Sequence, residues 1–221
     1  MQKIIYVLIG IVALALIILL IALFILNNKT NSILNDYSNI YTDKKYEKAI
    51  TLDNIDVITQ DISCGYAVIE MFAKWNNDMD LTEESLYNKY GKVVTSTGNS
   101  FCEEMNKQFP QYSTTMYKYL SNTELIDRVY NSLLNGIPVP FEWAAKNNNE
   151  WTLHYSLIVG MDIPNDKVII ANPYGYMEDL TLREFLDRTS FEAYENMPIF
   201  LKLGFAFGIF EKNTIFVVES N

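Results

Sequence analysis

Cys64 lies beside Gly65 in TQDISCGYAVIEMF, residues 59–72, with an apolar run directly behind it. A thiol at the head of a helix meets unpaired N–H groups and the positive end of the helix dipole, which favour a thiolate. Gly65 leaves the backbone beside the sulfur open. The competing reading is an inert buried cysteine, the commoner fate of a lone thiol in a core. A nucleophilic thiol needs a base, and His154 is the one histidine in the 221 residues. It opens HYSLIVGMD (154–162). As a strand, this puts His154, Ser156, Ile158 and Gly160 on one face and Tyr155, Leu157, Val159 and Met161 on the other. A hydrogen-bonded sheet histidine is the plainer alternative.

Asn172 begins NPYG at the end of the next strand-like segment, KVIIAN (167–172). Its amide oxygen can fix an imidazole tautomer, though an asparagine before proline also simply starts turns. A strict hairpin register sets Asn172 nearer Leu157 than His154, so a bulge or a reaching side chain is required. Gln60 offers a side-chain amide that, with the Cys64 N–H, can hold a tetrahedral oxyanion. Otherwise it is a surface glutamine. Cys102, in GNSFCEEMN, is flanked by acids that disfavour a thiolate and reads as structural. Trp143 and Trp151 flank the loop before His154 and read as packing residues.

The elements that must position these groups fall into two halves. Ala67, Val68, Met71, Phe72 and Trp75 recur at helical spacing after Cys64. Thr82 caps a second expected helix that ends at Gly91, and a third runs from about Phe101 to Phe109. A fourth follows SNT, with Leu125, Ile126, Val129, Leu133 and Leu134 as its stripe and Gly136 after its end. The second half reads as strands: IPVPFEW (137–143) as an edge or strand start, the hairpin HYSLIVGMD–IPND–KVIIAN, then FLKLGFAFGIF and TIFVVE. TLREFLDR (181–188) is a short helix. Helices first and a mostly antiparallel sheet second make an α+β domain, expected over residues 51–221.

Residues 4–26 carry no charge. As a helix they reach about 34 Å, enough to cross a bilayer core. They have no polar face and no A-x-A cleavage pattern, so residues 1–26 are expected to form an uncleaved transmembrane anchor. Residues 27–50 are polar and mixed in charge and read as a stalk. The chain is then a single-pass membrane protein, and we expect its domain on the extracytoplasmic side. A net charge of −10 argues against a nucleic-acid partner. Two cysteines and one histidine, with no C-x-x-C or H-x-x-x-H spacing, make neither a zinc site nor a disulfide framework, so no cofactor is expected.

The ordered set QDISCGYA, LNGIPV, HYSLIVGMD and ANPYG resembles the papain-like cysteine peptidases. Within them it is similar to the bacteriocin-leader-processing, or double-glycine, peptidases and their stand-alone relatives, over about residues 55–220. The resemblance implies a papain-like fold, a peptide or protein substrate, and a precursor peptide or exporter as neighbouring partner. It implies Cys64 as nucleophile, His154 as general base and acid, Asn172 as orienting residue and Gln60 as oxyanion donor. Two features depart from that group. Its third position is more often Asp in DP-x-G, and its glutamine stands farther from the cysteine. No GxxxxGK[ST] occurs in the chain, so a leader-peptide substrate is not implied. Transglutamination, deamidation and cell-wall amide hydrolysis use the same triad, and a non-catalytic binding module remains the third reading.

Overall fold

The computed structural model describes residues 2–34, 37, 39–91 and 97–221. It is an α+β domain behind one long apolar helix. The order is α1 (Gln2–Leu34), β1 (Ile50–Thr51), α2 (Cys64–Trp75), α3 (Glu83–Tyr90), α4 (Gly98–Gln108), β2 (Tyr112–Tyr117), α5 (Asn122–Leu134), β3 (Val139–Asn147), β4 (Glu150–Asp162), β5 (Lys167–Asn172), β6 (Tyr176–Leu180), α6 (Leu182–Thr189), α7 (Ile199–Ala206) and β7 (Ile215–Ser220). The sheet runs β2-β7-β3-β4-β5-β6, with β1 beside β4. All its pairings are antiparallel.

Both sheet faces are covered. On one, α2 and α4 bury Tyr66, Val68, Phe72 and Phe101 against Tyr155, Leu157, Val159 and Phe216. On the other, α5 and α6 bury Leu125, Val129 and Phe185 against Phe141, Trp143, Ile158 and Ile170. This explains why β4 is buried without interruption from Tyr155 to Met161 instead of alternating. Expected caps are present. Thr82 and Ser121 close capping boxes with Ser85 and Glu124, and Gly91 and Gly136 take left-handed conformations past their helices.

Two expectations need correction. Residues 27–50 are not simply a stalk. Helix α1 continues past the apolar run to Leu34, and residues 40–50 pack on the domain. Ile40, Tyr46 and Ile50 join the core, and the Tyr46 hydroxyl donates to Asp127, 2.9 Å. Alternating polar and apolar residues hid this docking. The segment FLKLGFAFGIF is not a strand: it forms α7 and a turn at Gly208, φ +69°. A continuous apolar run has no period to tell helix from strand. Strand β2 has no counterpart in the sequence reading. Strand β3 lies inside the sheet, and its prolines stand at its start, as expected: Pro138 precedes it and Pro140 is its second residue. The Glu142 N–H donates to Thr214 of the β7 side, 3.2 Å. Alternate residues point the same way, so the Pro140 nitrogen faces β7 too, where Phe141↔Ile215 is the one registered pair. The ladder to β4 loses no bond.

Among the described residues, one helix is long and apolar enough to cross a membrane. Its Lys3–Phe24 stretch has a mean hydropathy of 3.4, and none of it is buried against the domain.

Candidate active site

The nucleophile candidate is set by two devices. Ser63 caps α2 by accepting from the Tyr66 N–H, 3.1 Å, which places Cys64 in the first turn. The buried Glu83 carboxylate then holds the segment before it, accepting from the N–H groups of Asp61 and Ile62, both 2.8 Å, and of Ser63. Three orphan donors ahead of a helix are thus satisfied by one side chain from α3.

A bulge sets the base and its partner. Asp162↔Lys167 begins the β4–β5 hairpin, but the register shifts between Ile158 and Gly160, so that Leu157 faces Ala171. Without the shift Asn172 would face Leu157 and point to the opposite sheet face. With it, Asn172 falls on the face of Ser156 and His154. At the bulge β1 is added alongside, with the Leu52 N–H donating to the Val159 carbonyl, 2.8 Å. A Cβ on Gly160 would fall 2.9 Å from the Ile50 carbonyl oxygen, so this close approach requires glycine.

His154 and Asn172 are both buried, and Asn172 Oδ1 lies 3.1 Å from His154 Nε2. The same oxygen accepts from the Tyr174 N–H, 3.0 Å. The Tyr174 ring stacks on the imidazole with centroids 4.2 Å apart, and its hydroxyl bonds Thr152. The thiol is close to this group. The Tyr155 N–H, one residue along β4 from His154, lies against Cys64 and favours its thiolate, as do the N–H groups of Gly65 and of Cys64 itself. Gln60 is tied to the same loop. Its N–H donates to the Pro173 carbonyl, 2.7 Å, and Thr59 bridges Tyr174. Gly175, at φ +93°, packs on Thr59 where a Cβ would meet Oγ1 at 2.3 Å. The Gln60 Oε1 is buried without a hydrogen-bond partner. Cys64, His154, Asn172 and Gln60 therefore share one locality. Cys102 lies elsewhere, on α4, with its thiol donating to the Thr114 carbonyl, 3.3 Å.

Electrostatics add a force that opposes the helix terminus. Burial pushes the Cys64 thiol up, and the three N–H groups only partly oppose it. Burial pulls His154 down to about 4, with the Asn172 bond acting the other way. Desolvation thus opposes the charged form of both groups and works against the helix terminus. Sequence reasoning missed Glu83, Tyr174, Glu178 and Arg188. Tyr174 alone carried a signal, as part of NPYG.

Glu142, opposite Tyr155 in the β3–β4 register, is half-buried, and desolvation lifts its carboxyl to about 7. The neighbouring Tyr155 hydroxyl favours the charged form and Glu211 opposes it. Its charge raises Cys64 further. Between pH 4.5 and 7 the folded state holds a Glu142 proton that the unfolded chain releases, so this group costs stability as pH rises. His154 acts oppositely between about 4 and 6.5, where the unfolded chain is the better proton binder. Glu142→Gln should leave only the His154 slope. Thermal melts from pH 4.5 to 7 should show the variant gaining on the wild type, by up to about 3 kcal/mol, and the onset of Cys64 alkylation should shift to lower pH in the variant. Parallel melting curves would remove Glu142 from this account.

A family model described as "Peptidase_C39 like family" matches residues 52–199. No curated protein matches the sequence significantly. Two solved structures are similar. One is a double glycine motif protease from an AMS/PCAT transporter in complex with the leader peptide, at 13% identity and TM-score 0.48, covering 79% of this chain and 99% of that one. The other is the peptidase domain of Streptococcus ComA, a bifunctional ABC transporter involved in quorum sensing, at 16% identity and TM-score 0.49, covering 76% and 99%.

Proposed function

Because the chain belongs to the peptidase C39-like family and is a cysteine peptidase, we propose that it cleaves peptide bonds through an acyl-enzyme on Cys64, with His154 as base and acid. The observation that carries this reading is the His154 Nε2–Asn172 Oδ1 contact, 3.1 Å, beside the helix-terminal thiol. With Nε2 bonded to an acceptor oxygen, Nδ1 is left unprotonated to receive the thiol proton. The sulfur then attacks the carbonyl carbon, and the Cys64 N–H and the Gln60 side-chain amide stabilise the oxyanion. Collapse expels the amine, which takes its proton from His154. Water, deprotonated by the same ring, hydrolyses the thioester and frees Cys64.

Residues 4–26 hold the enzyme in the membrane, with the domain outside the cytoplasm. The support is an apolar helix that no part of the domain covers. The substrate is a peptide or an unfolded protein segment. A precursor peptide or an exporter is the partner this reading suggests.

Carbonate-washed membranes from cells making the full chain should cleave a mixed-sequence peptide pool, giving new amino termini by mass spectrometry. Iodoacetamide should block this while modifying Cys64 before Cys102. Activity left in the supernatant would overturn the anchor. Ammonia release or crosslinking without new amino termini would replace hydrolysis by deamidation or transglutamination.

A further inference from the structure

We propose that Glu178, clamped by Arg188, fixes which way the Asn172 amide points and thereby which nitrogen of His154 accepts the proton. Glu178 stands on β6, where Ile170 faces it across the ladder, two residues before Asn172. Its Oε2 accepts from Asn172 Nδ2, 2.9 Å, and its Oε1 accepts from Arg188 Nη1 on α6, 2.7 Å. Both partners of this ion pair are mostly shielded, each side chain 18% exposed. The Arg188 guanidinium also lies over the Trp143 ring, 5.1 Å from its centroid. A line of contacts thus runs from α6 through β6 and β5 to the imidazole on β4.

An amide can be turned end for end with little change in shape, so something must choose between its two orientations. The ionised carboxylate chooses, because it only accepts. The Asn172 NH2 must face Glu178, and Oδ1 must then face His154 and the Tyr174 N–H. The flipped amide would set its oxygen against a carboxylate and its NH2 against the Tyr174 N–H. With 0% exposure, Asn172 has no water to relieve either contact. An accepting Oδ1 demands a proton on Nε2 and leaves Nδ1 free. The same logic explains why position 172 is Asn and not Asp. An aspartate there would place two carboxylates against each other, with one Arg188 between them at most. Glu178 and Arg188 are therefore positioning residues that act through Asn172.

The inference rests on the catalytic reading of His154, but its first test does not need turnover. The chain has a single histidine, so the 15N NMR spectrum of histidine-labelled full-length protein in detergent reports this ring alone. At pH 7 the wild type should show a proton on Nε2 and none on Nδ1. A protonated Nδ1 would overturn the proposal whatever the variants do. Glu178→Gln, which can also donate, should give a tautomer mixture. For a pool peptide that the wild type cleaves, it should lose about tenfold in kcat with KM nearly unchanged. Asn172→Asp alone should lose about 100-fold. Asn172→Asp with Glu178→Gln should recover about tenfold over Asn172→Asp, because the second carboxylate is gone. A double variant no better than Asn172→Asp, or a Glu178→Gln ring with the wild-type tautomer and rate, would reject the role. If no peptide is cleaved at all, the tautomer result still stands, and only the catalytic reading fails.

Discussion

Cys64→Ala and His154→Ala should each lower peptide hydrolysis by on the order of 10³-fold or more, and the double variant should be little worse than Cys64→Ala. The sulfur and the imidazole act as one unit, since proton transfer has no purpose without the nucleophile. No second histidine exists to stand in. His154 is buried under the Tyr174 ring, so its replacement also removes a stacked pair and opens a small void. Circular dichroism must therefore accompany the rates. Asn172→Ala should retain more activity than either, because an orienting residue can be lost without losing the proton transfer itself. The measurement is the initial rate of cleavage of one pool peptide by the four variants and the wild type. A folded His154→Ala enzyme at the wild-type rate would end the proposed mechanism.

Glu83→Ala should be the most damaging change outside that pair. Its carboxylate gathers three N–H groups of residues 61–63. Its own N–H donates to Glu70, 2.7 Å, which in turn pairs with Lys74. Hydrogen bonds to a charged acceptor contribute more than neutral ones, and the freed donors would recover only part of that from water. The expected loss is roughly 2–4 kcal/mol, read as a fall of several degrees or more in Tm. Cleavage should fall as well, because the segment carrying Gln60 leads directly into Cys64. Glu83→Gln keeps one accepting oxygen and should fall between the wild type and alanine. Unchanged melting of Glu83→Ala would show that the segment is held by its bonds to Pro173 and Tyr174 alone.

The sequence by itself determined the parts that depend on local chemistry. Helix ends at Thr82, Gly91, Ser121 and Gly136 were readable because caps and left-handed glycines act within a few residues. So was the apolar helix at the start, whose uninterrupted composition has few other uses. The order glutamine, cysteine, histidine, asparagine was also readable, as were the family and the α+β class that go with it. What only the tertiary structure decided depends on groups distant in sequence. The shift at Val159 turns Asn172 onto the face of His154, and no local pattern marks it, since the space for it is made by β1 and by Gly160. The docking of Ile40 and Tyr46 depends on a core assembled 80 or more residues later. The desolvation that opposes a thiolate was hidden for the same reason. A helix terminus can be read from sequence, whereas desolvation belongs to the packed site. Glu178 and Arg188 look like ordinary surface charges in the sequence. They gain their role because β6 and α6 bring a carboxylate to one end of a buried amide whose other end holds the imidazole.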